Sequence, residues 1–337
     1  MIIRLQPELS EAQITHIAKS TAELGYKATE VRTQYNHFLV APGKKEIDLR
    51  RIGTLPGVAD VYFVSDDYQL VSRQWRVQPT VIDLGGGAVI EKGGFSLMAG
   101  PCSIENEDQV RAILGHLQAQ GIRMMRGGVF KPRSSPYAFR GLGIPGLEMW
   151  RKLCDEYGIK IVTEVMQVSQ IAEMLPYVDV FQVGARNTQN FNLLDELGKV
   201  DKPVMLKRGI SGTIDELLYS AEYIFSGGNE KVILCERGIR TYEHAYRNCL
   251  DVNAIALLKE KTHLPVIADP SHGIGIRDFV EPVGLAALLA GADGLIYEIH
   301  PVPEKAASDG QQTLNFAQSA TFARKASALA AVKQAWV

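Results

Sequence analysis

The stretch Ile122-Arg123-Met124-Met125-Arg126-Gly127-Gly128-Val129-Phe130-Lys131-Pro132-Arg133-Ser134-Ser135-Pro136 decides how this chain folds. Residues 122–125 read as a short buried strand, and the charges begin where that strand ends. Arg126, Lys131 and Arg133 fall within eight residues. They stand beside two glycines that permit close backbone approach and two serine hydroxyls that donate hydrogen bonds. Pro132 and Pro136 hold the loop extended. Such a loop is suited to gripping small phosphorylated or carboxylated molecules. A solvated basic turn is the plain alternative, and the rest of the chain decides between the two.

The same grammar, an apolar strand running into a polar group, recurs from residue 95 onward. Strands are expected near 95–99, 122–125, 160–163, 178–183, 204–206, 232–235, 266–268 and 294–299, with amphipathic helices between them. One such helix opens on the capping box Thr213-Ile214-Asp215-Glu216. Eight βα units over about 240 residues match a closed (β/α)8 barrel. Gly141-Leu142-Gly143-Ile144-Pro145-Gly146 spells a dinucleotide fingerprint, but no strand precedes it and Pro145 interrupts it. It reads as a loop entering a helix.

In a barrel of this kind the site lies at the C-terminal strand ends. There the chain places Cys102; Arg126 with Lys131 and Arg133; Glu164; Arg186; Lys207-Arg208; Glu236-Arg237; Asp269 and His272; and Glu298 and His300. Two sets emerge. Arg126, Lys131, Arg133, Arg186, Lys207 and Arg237 form a cationic set that calls for anions, such as phosphate and carboxylate. Cys102, His272 and Glu298, joined by Asp309 of Ser308-Asp309-Gly310, form a mixed S/N/O set suited to a divalent metal. The donor types suit Mn²⁺, Fe²⁺, Zn²⁺ or Co²⁺ without choosing between them. The plainer readings are a buried thiol for Cys102 and a turn residue bonded to Asp269 for His272.

Composition removes other classes. The 337 residues carry a net charge of −2, which gives no support for wrapping nucleic acid or lying on a membrane surface. The apolar stretch 285–297 is broken by Asp293 and is too short to span a bilayer. The first residues lack a charged segment followed by an apolar signal core. Cys102, Cys154, Cys235 and Cys249 form no Cys-x-x-Cys pair, which fits a reducing cytoplasm. The last three fall in apolar patterns as core thiols.

Residues 1–64 read strand, helix, strand, strand, helix, strand, the ferredoxin-like order. Ser10 caps the first helix, Gly25 stops it, residues 26–32 and 37–40 form a hairpin, 44–52 a second helix and 58–64 the last strand. No catalytic cluster falls there, and His16 and His37 are isolated. Residues 65–79 are polar and read as a linker to a barrel domain spanning 80–337. Gly85-Gly86-Gly87 marks a hairpin at the start of that domain.

These motifs resemble the 3-deoxy-D-arabino-heptulosonate 7-phosphate (DAHP) synthase family, in its type I beta form with a ferredoxin-like regulatory domain ahead of the barrel. The residues carrying the resemblance are Ala99-Gly100-Pro101-Cys102-Ser103, Arg126-Gly127-Gly128 with Lys131-Pro132-Arg133-Ser134-Ser135, Gly184-Ala185-Arg186-Asn187, Leu206-Lys207-Arg208-Gly209, Cys235-Glu236-Arg237-Gly238 and Asp269-Pro270-Ser271-His272. The resemblance implies a transferase that condenses phosphoenolpyruvate with erythrose 4-phosphate at the entry to the shikimate pathway. It further implies that Arg126 and Lys207 hold the phosphoenolpyruvate carboxylate, while Arg186, Arg237 and the Ala185 backbone hold its phosphate. Lys131 would stand between the substrates, with Pro132, Arg133 and Ser134 at the aldose phosphate. Cys102, His272, Glu298 and Asp309 would hold one divalent metal ion, and Glu164 would position a water. A homo-oligomer (dimer or tetramer) and control by an aromatic amino acid through residues 1–64 are implied in the same way. Ile274 and Ile276 depart from the family pattern after His272.

The nearest rival is a 3-deoxy-D-manno-octulosonate 8-phosphate synthase acting on arabinose 5-phosphate. It carries Lys-Ala-Asn-Arg-Ser-Ser where this chain has the one-residue-shorter Lys131-Pro132-Arg133-Ser134-Ser135. A Schiff-base aldolase with Lys207 as nucleophile would need an apolar lysine pocket. A small-molecule sensor built on a dead barrel would suit the N-terminal domain alone.

Overall fold

The computed structural model describes residues 1–43, 45, 47–131, 137 and 139–335. The chain opens with β1 (Ile2–Leu5), the helix Glu11–Glu23, β2 (Thr29–Arg32), β3 (His37–Val40), a short helix Arg50–Gly53 and β4 (Val58–Tyr62). The four strands form an antiparallel sheet in the order β2-β3-β1-β4. Ser10 closes a capping box with Gln13 at the head of the first helix. The second helix is shorter than the expected 44–52. The Asp48 carboxylate accepts the Arg50 amide at 3.0 Å, a local bond that competes with earlier helical turns. Residues 44 and 46 of that expected helix lie outside the described residues.

The central strands β1 and β3 are buried on both faces, and the period-two alternation sends successive side chains to opposite sides. Ile3 and Leu39 pack with Ile14, Ile17 and Ile52 of the helices. Ile2, Phe38 and Val40 turn the other way, into a core shared with the barrel. The segment 65–79 supplies much of that shared core through Tyr68, Leu70, Val71 and Trp75. Trp75 packs edge-on to Phe38 at 5.3 Å and to His263 of the barrel at 5.8 Å. Its polar residues alternate with these anchors, so a polar average conceals a docked strap.

Next comes a two-stranded hairpin, β5 (Val81–Asp83) and β6 (Val89–Glu91), turned by the three glycines. The barrel follows as β7 (Ser96–Gly100), β8 (Met124–Gly127), β9 (Lys160–Val165), β10 (Val180–Val183), β11 (Val204–Lys207), β12 (Val232–Glu236), β13 (Val266–Ala268) and β14 (Gly294–Glu298). These eight strands are parallel and close on themselves between β14 and β7. Met98, Met124, Val162, Val180, Met205, Ile233, Ile267 and Ile296 point inward, and Ile82 and Ile90 of the hairpin join them. The hairpin therefore plugs the N-terminal end. Burial of each such side chain contributes about 1.5–3 kcal/mol. The helix Gly143–Tyr157 starts inside the dinucleotide-like sequence, in a loop-to-helix junction.

The sheet domain docks on the N-terminal end of the barrel. Gln34 bonds to Gly228 and Asp201, and Thr33, Asn36 and Arg76 all converge on Glu230, just ahead of β12. The opposite, C-terminal end stays open. Among the described residues, no helix is long and apolar enough to cross a membrane.

Candidate active site

A cavity of about 300 Å³ opens at the C-terminal strand ends. Arg126, Lys131, Glu164, Ala185, Arg186, Lys207, Arg237, His272 and Asp309 all line it, as their strand-end positions predict. Gln182, Arg240, Arg247 and Asn248 line it too, and sequence reasoning missed them. Seven cations thus face two carboxylates, Glu164 and Asp309, so the cavity is built for anions. Pro132, Arg133 and Ser134 lie outside the described residues.

Backbone packing sets several of these groups. A Cβ on Gly100 would lie 1.9 Å from the Arg126 carbonyl, so only glycine lets β7 and β8 meet at that height. A Cβ on Gly184 would lie 2.0 Å from Glu164 Oε1, so the Glu164 carboxylate rests directly over the β10 end. Arg126 is buried, and its Nη1 donates to Glu298 Oε1 at 2.8 Å and to the Pro101 carbonyl at 3.0 Å. Lys131 Nζ donates to the Cys102 carbonyl at 2.9 Å.

Asp269 organises the next strand end. It caps the helix Pro270–Ile274 by accepting the His272 amide at 3.1 Å, and it also meets His272 Nδ1 at 2.8 Å and Lys207 Nζ at 2.5 Å. Burial pushes its carboxyl up, but His272 and Lys207 outweigh burial and hold it well below the usual range. Lys207 sits in an ion pair, which is not the apolar pocket a nucleophilic lysine requires. Burial lowers the His272 imidazole despite the pull of Asp269 and Glu298.

Cys102, Glu298 and Asp309 each offer a ligand atom within 4.8 Å of the others. His272 Nε2 stands 3.6 Å from Glu298 Oε1, and its Nδ1 is held by Asp269, leaving Nε2 toward the group. Cys102 Sγ lies 3.1 Å from Asp309 Oδ2. Burial lifts the thiol to about 11, and a bound cation is the ordinary means of turning such a thiol into a thiolate. Burial raises the Asp309 carboxyl, yet the Cys102 hydrogen bond and the charges of His272 and Arg247 leave it below its usual value. The donor set fits a divalent metal. His272 is a ligand candidate and a turn residue bonded to Asp269 at once.

Not every strand end faces the cavity. Cys235 points into the barrel, so its neighbour Glu236 points outward, by the alternation of β12. Glu236 there pairs with Arg208 at 3.0 Å, and Arg208 also pairs with Asp251 at 3.0 Å. His300 Nδ1 accepts the Val302 amide, and His300 is absent from the cavity wall. These three are structural residues. Arg240, Arg247 and Asn248 come from the long segment 237–250 before the helix Val252–Lys261, and its length was the available signal. Gln182 announced itself only as a polar residue inside the apolar strand β10.

The DAHP synthetase I family matches residues 80–334. A phospho-2-dehydro-3-deoxyheptonate aldolase of Thermotoga maritima is 44% identical over 317 residues, 94% of this chain and 94% of that protein. A 2-dehydro-3-deoxyphosphooctonate aldolase of Francisella tularensis is 34% identical over 235 residues, 64% of this chain and 84% of its own. Among solved structures, DAHP synthase from Thermotoga maritima superposes with a TM-score of 0.78 at 42% identity, covering 98% of this chain and 97% of that one. A truncated form of 3-deoxy-D-arabino-heptulosonate 7-phosphate synthase from the same organism gives 0.74 at 44% identity over 79% of this chain and 97% of its own. Fold, cavity and sequence agree: this chain belongs to the DAHP synthetase I family of transferases.

Proposed function

We propose that the cavity condenses phosphoenolpyruvate with erythrose 4-phosphate, giving DAHP and phosphate at the entry to the shikimate pathway. The observation that carries this reading is the ring of cations placed beside one thiol, one imidazole and two carboxylates at a single barrel mouth. Arg126 and Lys207 hold the phosphoenolpyruvate carboxylate. Arg186, Arg237 and the Ala185 backbone hold its phosphate, and Arg133 and Ser134, next to Pro132, take the aldose phosphate. Cys102, His272, Glu298 and Asp309 hold one divalent ion per subunit (Mn²⁺, Fe²⁺, Zn²⁺ or Co²⁺), which when bound supplies Lewis-acid polarisation worth several kcal/mol.

Carbon 3 of phosphoenolpyruvate forms the new C–C bond with the aldehyde carbon as the C2=C3 π bond opens, and the aldehyde oxygen takes up a proton that the added water gives up. A water oxygen bonds to carbon 2, and phosphate departs with cleavage of the carbon–oxygen bond. Glu164, fixed over Gly184, orients that water. Lys131, anchored on the Cys102 carbonyl, stands between the two substrates.

The sheet domain is the regulatory element in this reading, taking tyrosine, phenylalanine or tryptophan. It stands at the barrel end opposite its own mouth, so covering a mouth requires either another subunit of a homo-oligomer (dimer or tetramer) or release of the contacts that Thr33 and Asn36 make with Glu230. Similarity to phosphooctonate aldolases keeps arabinose 5-phosphate as the second reading. Phosphate release measured with each aldose decides: turnover with erythrose 4-phosphate is expected, and a preference for arabinose 5-phosphate would overturn the assignment.

A further inference from the structure

Asp309 has φ of +52°, a left-handed conformation that costs a non-glycine residue about 1–2 kcal/mol. Its neighbours hold it there. Thr313 Oγ1 donates to its carbonyl at 2.9 Å, and Arg247 Nη1 reaches its Oδ1 at 3.3 Å. The same Arg247 nitrogen donates to Gln312 Oε1 at 2.7 Å, and Gln312 Nε2 donates to Glu298 Oε2 at 2.7 Å. Gln312 is fully buried, and the amide has one end for a cation and the other for a carboxylate, so its orientation is fixed. The next residue along from Arg247, Asn248, donates to the His272 carbonyl at 2.9 Å.

Two glycines let the segment 237–250 lie flat enough to do this. Arg247 N donates to the Ile274 carbonyl at 3.0 Å, and a Cβ on Gly275 would stand 2.4 Å from Arg247 Cβ. A Cβ on Gly238 would stand 2.9 Å from Asn248 Cβ. One loop thereby touches Asp309 directly, Glu298 through Gln312, and His272 through its backbone.

We infer that Arg247 and Gln312, with Asn248 beside them, form a brace that positions Asp309, Glu298 and His272 to hold the divalent ion. The inference rests on the metal reading of this site and says which residues outside the ligand set give it its affinity. Arg247 is a positioning residue that also lines the cavity, so the brace joins the substrate side to the ligand side.

The test is a cobalt titration of the full-length metal-free protein, followed by the absorption band of a thiolate bound to Co²⁺. Arg247→Met is the main variant, because that side chain is partly exposed and its loss leaves the core intact. Arg247→Met and Gln312→Met should each raise the cobalt dissociation constant on the order of 10- to 100-fold. Arg247→Lys, which keeps the charge and one contact, should recover part of that loss. The double variant should lose less than the sum of the two single losses, because Arg247 holds the Gln312 amide that reaches Glu298. Cobalt affinity of Arg247→Met within about twofold of wild type, well short of the usual loss for an outer-shell partner, overturns the brace. So does a double variant whose losses add. A wild-type protein that takes up no cobalt overturns the metal reading and the brace together, an outcome distinct from tight binding that Arg247→Met leaves intact.

Discussion

The two ends of the barrel are built from the same strands and differ in how completely their charges are matched. At the N-terminal end polar groups are matched. Glu230 takes Thr33, Asn36 and Arg76; Asp293 takes Lys259 and the amides of Gly93 and Val266; His263 takes Thr80 and the Leu70 carbonyl. At the C-terminal end Arg186, Arg237 and Arg240 have no ion-pair partner among the described residues, although Arg237 is buried. Burial pushes the Arg237 guanidinium down, and nearby Arg247 adds to that effect. Arg126 and Lys207 are paired at this mouth with Glu298 and Asp269, so the surplus lies in Arg186, Arg237 and Arg240, and a surplus of cations around a cavity calls for an anionic ligand. The contrast locates the function without reference to any relative.

Neighbouring strand ends offer a direct way to break this contrast. Arg208→Ala strands the buried Glu236 carboxylate and should cost about 3–5 kcal/mol of stability in urea unfolding. Arg237→Ala should leave the unfolding midpoint unchanged or raised. It should also lower kcat/KM for phosphoenolpyruvate about 10- to 100-fold, the value of a lost charge-assisted contact. If both variants lost stability alike, the division into matched and waiting charges would be wrong.

The closed end makes a smaller, pH-dependent prediction. Burial lowers the His263 imidazole to about 3, against an ordinary value of 6.5. The folded protein therefore binds fewer protons there than the unfolded chain. The stabilisation is complete above about pH 6.5 and is lost as pH falls from about 6.5 toward 3, a loss of a few kcal/mol. Urea midpoints followed between those values should fall more steeply for wild type than for His263→Phe. Parallel slopes would show that this histidine is not buried neutral.

The smallest effect on turnover belongs to the sheet domain. A chain starting near Val77 should fold, since a truncated relative has a solved structure, and should keep metal-dependent turnover. It should lose any response to tyrosine, phenylalanine or tryptophan that the full chain shows. Equal inhibition of both chains would remove the regulatory role from residues 1–64.

The barrel was legible because each strand is a short apolar run ending in a polar group, and that pattern survives without tertiary information. Cys102 and Glu298 were legible as donor types at expected strand ends and Asp309 as one in the loop after the last strand, and the structure brings them together across about two hundred residues. Partner choice was not legible. Arg208 and Arg237 look alike in sequence, and only the outward turn of Glu236 assigns one to structure and leaves the other to the cavity. The packing of the linker 65–79 against the barrel was not legible, because its four buried anchors are diluted by polar neighbours. Arg247 and Gln312 were missed because their role depends on two loops meeting.

The most direct test of the account is phosphate release from phosphoenolpyruvate and erythrose 4-phosphate by the full-length protein, before and after chelation. Chelation should lower turnover on the order of 10³-fold, since several kcal/mol of polarisation are lost, and added Mn²⁺ should restore it. Cys102→Ala should remain folded and stay inactive at every metal concentration tried. Full turnover by the metal-free protein, or by Cys102→Ala, would contradict the account at its centre.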